Sequence, residues 1–394
     1  MPAAQTNAAS SAAPLKFLLH FGFLVSGIVT VFIGQILPIL SNRLQLNDEQ
    51  ASYFFTFQFA GSLAGTFLTQ TFARRVGFAG ATIFGCAAMT GGILFLNFDS
   101  RFVCAAGFLV MGFGIGITLP AINMLTVELN PQNVTPALNF LNFFWGIGAI
   151  ICKPFVDFFS TPTSIFTPTV ILSGLLVVTG SAILFVPREK EQSQFFVRHE
   201  AKDLIPIWTT LTAWLITVFN FIHIGFESGA GGWITTYANR FPSETKLFWL
   251  SPTLAYFFFF VAGRGIAPLF ARFLNENQMI LAGLLTMTGG VIILVAGSSF
   301  WILMLGAGIA GFGTSSIFPT NMARFTKTFG ETATRRATPL FVSGTLGSAL
   351  ITQLIGFFST GYGSLRVGMY VLLACCASLI ILQIGLSFDS KIKF

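Results

Sequence analysis

The sequence predicts an all-α membrane protein in which twelve transmembrane helices form two pseudo-symmetric six-helix bundles. Three observations predict it. The composition suits a chain dissolved in lipid: of 394 residues, 54% are hydrophobic, 9% are charged and 48 are phenylalanine, against roughly 25% charged residues in soluble domains. Apolar segments long enough to cross a bilayer recur along the whole length. Short motifs repeat in order at an offset of about 200 residues. The net charge of +7 comes from Lys and Arg placed between apolar runs, not gathered in a patch. It speaks for loop charges that set orientation and against a nucleic-acid partner.

A spanning helix takes about 20 mostly apolar residues. Twelve segments qualify: residues 16–41, 50–74, 77–98, 101–128, 134–158, 166–187, 204–238, 246–272, 277–297, 300–325, 334–358 and 364–388, called spans 1 to 12. Residues 1–15 are Ala/Ser-rich and read as a disordered tail. The run from Phe17 to Leu40 is too long for a signal-peptide core, so span 1 reads as a retained helix. The one long charged stretch is PREKEQSQFFVRHEAKD, residues 187–203. It separates a first bundle, 16–187, from a second, 204–394, with 188–203 as a cytoplasmic linker.

With the N-terminus in the cytoplasm, 14 Lys and Arg fall on that side, Arg324 among them, and 6 fall opposite, Lys153 among them; Arg264 lies within a span. The bias predicts cytoplasmic termini in a plasma (cytoplasmic or inner) membrane. Cys86, Cys104, Cys152, Cys375 and Cys376 lie in or near apolar runs without metal spacing. They read as small buried residues, and no metal site is expected.

The repeat is specific. GFGIGITLPAINM (112–124) in span 4 matches GFGTSSIFPTNM (311–322) in span 10, with Pro120 and Pro319 each eight residues after the first Gly. Phe-Phe-Ser-Thr closes span 5 at 158–161 and span 11 at 357–360, and Thr-Pro opens the same two spans. Phe-Ala-Arg ends span 2 (72–74) and span 8 (270–272). Six plus six helices repeated about a linker resembles the major facilitator superfamily over essentially the whole chain. That resemblance implies a transporter whose substrate lies near the midplane, between halves that rock to expose it to each side in turn.

Ionisable side chains inside a bilayer are costly and are functional candidates by default. His20 lies near the start of span 1 and reads mainly as structural. In span 7, Asn220, His223 and Glu227 fall on one helix face. Such a stripe should face the central cavity, because lipid would leave it unsatisfied. Glu227 and His223 are the coupling candidates, and His223 and Asn220 also candidate substrate contacts; a buried pair that only stabilises the helix is the plainer alternative. Trp233 and Tyr237 read as outer interfacial anchors. Gly225, Gly229, Gly231 and Gly232 each cost about 1 kcal/mol relative to Ala in a helix. Close helix packing or a bend that moves in transport would keep them. Gly229, Gly231, Gly232, Trp233 and Arg264 are therefore the structural or gating candidates. Arg264 reads either as a strut to backbone carbonyls or as a partner of Glu227 across an axial gap of roughly 9 Å.

Asn139 and Asn142 in span 5, with Trp145 beyond them, offer two amides and an aromatic plate suited to a hydroxylated ligand. Gln35, Asn123 and Asn321 are further candidate substrate contacts, though any one could simply bond helix to helix. GFESGAGGWITTYA in span 7 and Ala-Gly-Arg in span 8 resemble the fucose/glucose symporter branch, which includes fucose:proton symporters and sodium-dependent glucose transporters. An acid before Gly-Gly-Trp and a Tyr after it recur there; here they are Glu227, Gly231, Gly232, Trp233 and Tyr237. The resemblance implies sugar binding by Asn139 and Asn142. It departs at the acids of spans 1 and 4: this chain has Gly34 and Gln35, and Leu119 followed by Asn123. The loop motif between spans 2 and 3 keeps Arg74, Arg75 and Gly77 but lacks its Asp.

The reading is a secondary active transporter that moves a monosaccharide or similar small polar solute by alternating access. It needs no cofactor beyond a coupling ion, sodium or proton. The alternative is a transporter of an organic anion, drug or amphiphilic lipid substrate. With 3 His and 14 acids, most of the acids in loops, an enzyme is not expected. The expected partners are a small-molecule substrate and the lipid bilayer, and the expected state is a monomer.

Overall fold

A computed structural model describes residues 3–186, 207–242, 249–330 and 337–388, with side chains from Pro14 onward except that of Thr135. The linker 188–203, Lys246, Arg335, Arg336, Lys391 and Lys393 lie outside the described residues. The described residues are helical throughout, apart from short connections. Span 1 is the helix Ala3–Arg43, span 4 Arg101–Glu128, span 5 Val134–Phe159, span 6 Phe166–Phe185, span 7 Leu211–Ala238 and span 8 Pro252–Phe270. Span 9 is Glu276–Ala296, span 11 Thr338–Tyr362 and span 12 Leu365–Ser387.

Spans 2 and 3 form one helical stretch, Asp48–Phe95, of 48 residues. At 1.5 Å per residue that is about 72 Å, more than twice a bilayer core of about 30 Å. The stretch is divided at Gly77, whose φ of 74° and ψ of 167° are not helical. A left-handed φ is open to Gly without steric cost, so Gly77 lets the chain turn back. Cutting there converts the 11 apolar helices of spanning length into twelve spans. Span 10 is two helices, Phe300–Thr314 and Ile317–Phe329. The stretch expected as a disordered tail is instead helical from Ala3, in keeping with the high helix propensity of Ala.

Helix ends follow local chemistry. Asn47 with Gln50 and Asn275 with Gln278 form capping boxes at the starts of spans 2 and 9. Pro252 opens span 8 behind the cap Ser251, where its missing N–H costs nothing.

The two halves meet along three pairs of spans: 1 with 7, 2 with 11 and 5 with 8. Their cross-half hydrogen bonds gather at the end of the bundle away from the chain termini, here called the distal end. Gln35 of span 1 accepts from Thr235 of span 7 at 2.7 Å. Asp48, opening span 2, pairs with Arg240 at the end of span 7 at 2.5 Å and accepts a hydrogen bond from Ser359 of span 11. The Glu49 amide donates to Thr360 at 2.9 Å. At the crossing of spans 1 and 7 a Cβ on Gly34 would lie 2.8 Å from the Gly231 carbonyl oxygen and 2.8 Å from the Gly232 Cα. The distal end is sealed.

This seal corrects one expectation. Trp233 and Tyr237 are not interfacial anchors: they are 0% and 1% exposed. The Trp233 indole donates to the Thr352 carbonyl at 3.0 Å and its ring lies 5.9 Å from that of Phe55. The Tyr237 hydroxyl donates to the Val295 carbonyl at 3.3 Å. The distal half of span 7 is surrounded by other spans, so Trp233 and Tyr237 have no lipid headgroups to meet.

Candidate substrate and coupling site

Span 7 is an unbroken helix, and its polar stripe divides into separate tasks. Asn220 is 1% exposed and its amide donates to the Leu340 carbonyl of span 11 at 2.9 Å. It ties helices together instead of facing a cavity. His223 is also 1% exposed. Its Nε2 lies 2.9 Å from the Thr314 hydroxyl of span 10, and its ring runs nearly parallel to that of Phe219. Glu227 reaches inward: its Oε1 lies 3.7 Å from Nη2 of Arg264, with the two side chains 20% and 33% exposed. Arg264 also donates from Nε to the Ser315 carbonyl at 3.3 Å, and its guanidinium sits 4.0 Å from the centre of the Phe260 ring. It is strut and ion-pair partner together. The roughly 9 Å axial gap is closed by the length of the Arg side chain.

Thr314 and Ser315 mark the break in span 10, and they are contacts the sequence reading passed over. A helical N–H donates to the carbonyl four residues earlier, and Pro319 has none to give. The Ser315 carbonyl is therefore freed, and Arg264 takes it. The matching Pro120 frees the Gly116 carbonyl in span 4, where the hydroxyls of Thr66 and Thr69 donate at 3.3 and 3.1 Å. The offset of the Phe-Ala-Arg repeat pairs Thr66 with Arg264. One position does the same backbone task in both halves, and the second half carries a cation there. The signal was in the sequence as Pro319 four residues after Ser315.

Spans 5 and 8 touch at Gly146 and Val261: a Cβ on Gly146 would lie 2.7 Å from a Val261 methyl. At about 100° per residue, Asn139 and Asn142 lie within about 40° of the direction of Gly146. They face the seam between the halves, and both are exposed. Asn142 donates to the Leu138 carbonyl of its own helix at 2.8 Å. Along the helix axes, Asn142 lies about 6 Å and Arg264 about 4.5 Å to the terminal side of the Gly146–Val261 contact. Asn142 and the Arg264–Glu227 pair thus both lie on the terminal side of the contact between spans 5 and 8.

Other candidates stand apart. Trp145 is partly buried, with its backbone carbonyl against Gly27 of span 1. Gln35 is committed to the distal seal. Asn123 is half-buried and donates to its own helix at Leu119. Asn321 is 1% exposed and accepts from Arg324 at 2.5 Å. Arg324, expected among the loop charges, is itself 1% exposed and also donates to Gln383 at 2.8 Å. His20 sits between Phe140 and Phe144, with Nδ1 2.6 Å from the Lys16 carbonyl oxygen. Gly231 and Gly232 are contact points of the seal, and span 7 does not bend at them. Gly229 packs against Ile355 and Leu372. The five cysteines are free and buried.

The sequence model of the Major Facilitator Superfamily matches residues 19–277, and the chain belongs to that family. No curated protein matches the chain. Among solved structures it is similar to the transporter FucP in the outward conformation, at 16% identity and a TM-score of 0.63, covering 96% of this chain and 100% of that one. It is similar to a D-xylose-proton symporter at 13% identity and a TM-score of 0.76, covering 95% and 96%. It is also similar to the nucleoside transporter NupG at 12% identity and a TM-score of 0.75, covering 96% and 98%. At these identities the likeness is one of fold. The chain is an integral membrane transporter of twelve helices.

Proposed function

We propose that this chain moves a monosaccharide or similar neutral, hydroxylated solute by alternating access, with Glu227 as the coupling group. The observation that carries the proposal is the partly exposed Arg264–Glu227 pair, which lies with Asn142 on the terminal side of the contact between spans 5 and 8. The pair compensates its own charge, so the site offers donors and acceptors without net attraction for an anion. Glu227 Oε2, His223 Nδ1 and the Tyr256 hydroxyl are buried without hydrogen-bond partners among the described residues, which leaves valences for a polar guest or water. Fucose, xylose and nucleosides are named for three similar structures, while peptide transporters share the fold too. The fold alone does not choose the solute; the charge-compensated pair supports a neutral one.

The distribution of Lys and Arg supports cytoplasmic termini, which makes the sealed distal end the outer one. Uptake into proteoliposomes, with a panel of labelled sugars and with imposed proton or sodium gradients, tests the reading. Sugar uptake driven by one gradient is expected. Glu227→Gln should abolish accumulation while sparing exchange. Transport of an anion or lipid with no sugar uptake would overturn the solute class, and unchanged accumulation in Glu227→Gln would remove the coupling role.

A further inference from the structure

The amide face of span 5 does not stop at the contact with span 8. Counting from Gly146, Lys153 and Asp157 lie seven and eleven residues further on. At about 100° per residue both return to within about 20° of the direction of Gly146. The face therefore reads Asn139, Asn142, the contact at Gly146, then Lys153 and Asp157. The last two form an ion pair one helical turn apart, with side chains 11% and 30% exposed. Within a span such charges are expensive and mark pathways for substrates or ions.

The internal repeat gives an independent bearing on the position of Asp157. The Phe-Phe-Ser-Thr offset makes Gly356 of span 11 the counterpart of Asp157. A Cβ on Gly356 would lie 2.5 Å from the Asp48 carbonyl oxygen of span 2, so that position lies in the distal seal between halves. Span 5 faces span 8 as span 11 faces span 2. Where span 11 meets span 2 with a glycine, the face of span 5 that meets span 8 carries two charged groups. The seam of spans 2 and 11 joins its polar groups across the halves, whereas Lys153 and Asp157 pair within their own helix and stay free to meet a guest when the halves rock apart.

We propose that Lys153 and Asp157 form an outer docking station for the transported solute, occupied when the distal end opens and before the solute reaches Asn142. A paired ammonium and carboxylate leave two donors and several acceptors open without net charge. The chemical class that suits them is a neutral polyhydroxylated molecule. The inference rests on the transport reading above and adds a site to it.

Two measurements test it. In oriented proteoliposomes the double variant Lys153→Gln with Asp157→Asn should raise KM for entry from the distal side about tenfold to a hundredfold, the loss expected for hydrogen bonds to charged groups. KM for entry from the terminal side should stay at the wild-type value. Equal changes on both sides, or none on either, would overturn the station and leave the pair a helix brace. The second measurement does not need the solute to be known. Asp157→Cys should react with a membrane-impermeant maleimide only from the distal face, and a transported sugar should slow that reaction. No distal labelling, or labelling that a transported sugar leaves unchanged, refutes the proposal. A wild-type protein that transports no sugar overturns the solute reading separately, while the labelling still reports whether the pair meets the distal opening.

Discussion

The tightest test of the sealed end is the crossing of spans 1 and 7 at Gly34. A Cβ there would stand 2.8 Å from the Gly231 carbonyl oxygen, 2.8 Å from the Gly232 Cα and 2.9 Å from the Gly232 carbonyl oxygen. All three are backbone atoms, which cannot rotate aside as a side chain does. Gly34→Ala must therefore separate the two helices by several tenths of an ångström. Overpacking of this kind costs about 1–3 kcal/mol. The contact joins the two halves at the sealed end, so the cost falls on the distally closed state and is relieved when that end opens. The balance should shift toward the open state about 5- to 150-fold. Ser359→Cys reports the shift: Ser359 is 2% exposed beside Asp48 in the sealed form, and the five native cysteines are buried. Its labelling by an impermeant maleimide should accelerate when Gly34→Ala is added. An unchanged rate, or lower thermal stability with no gain in labelling, would show that the crossing does not hold the gate.

The remaining predictions separate working polar groups from packing ones. Asn142→Ala should raise KM about tenfold with unchanged thermal stability, because the exposed amide bonds only its own helix in the empty cavity. Asn220→Ala should do the reverse, costing about 0.5–1.5 kcal/mol of stability by removing the buried hydrogen bond that ties span 7 to the Leu340 carbonyl of span 11, with KM unchanged; paired melting curves and uptake kinetics decide both. Asp48→Asn removes the partly exposed pair with Arg240 and should speed Ser359→Cys labelling at most about fivefold, the effect fading in high salt. Arg264→Thr installs the residue found at the matching position of the first half. It should keep a donor near the Ser315 carbonyl, preserve folding and downhill exchange, and lose gradient-driven accumulation; full accumulation would show that the cation is needed only as a strut.

Most of the fold was legible because lipid imposes a simple rule. A spanning segment must satisfy its own backbone and present apolar side chains, so length and hydropathy reveal it. Spans 2 and 3 show where that rule blurs: Gly77 turns the chain without an intervening loop, yet the apolar pattern still divides there. The site was less legible. The helical period put Asn220, His223 and Glu227 on one face, but period does not say which neighbour each will meet. Asn220 found the Leu340 carbonyl, His223 found Thr314, and Glu227 found Arg264 of span 8. Trp233 looked like a headgroup anchor because composition carries no record that span 7 is wrapped by its neighbours. Lys153 was counted as an outer charge because sequence gives depth only to within a few residues. Its partner Asp157, one turn along the same helix, was the missed signal.

The repeat explains why charge concentrates in the second half. In each half a proline in the fourth span frees one carbonyl deep in the bundle, and a side chain from the second span must answer it. In the first half Thr66 and Thr69 answer with neutral hydroxyls, and span 4 continues as a single helix. In the second half Arg264 answers, and span 10 breaks at the same place. A guanidinium so deep requires a carboxylate within reach, and Glu227 supplies it. The break, the cation and the acid are thus one arrangement: removing the acid's charge leaves Arg264 held by the Ser315 carbonyl and the Phe260 ring alone. A proton or solute arriving at Glu227 therefore acts directly on the point where span 10 is already divided. The first half, built from the same repeat with threonines, has no such division in span 4.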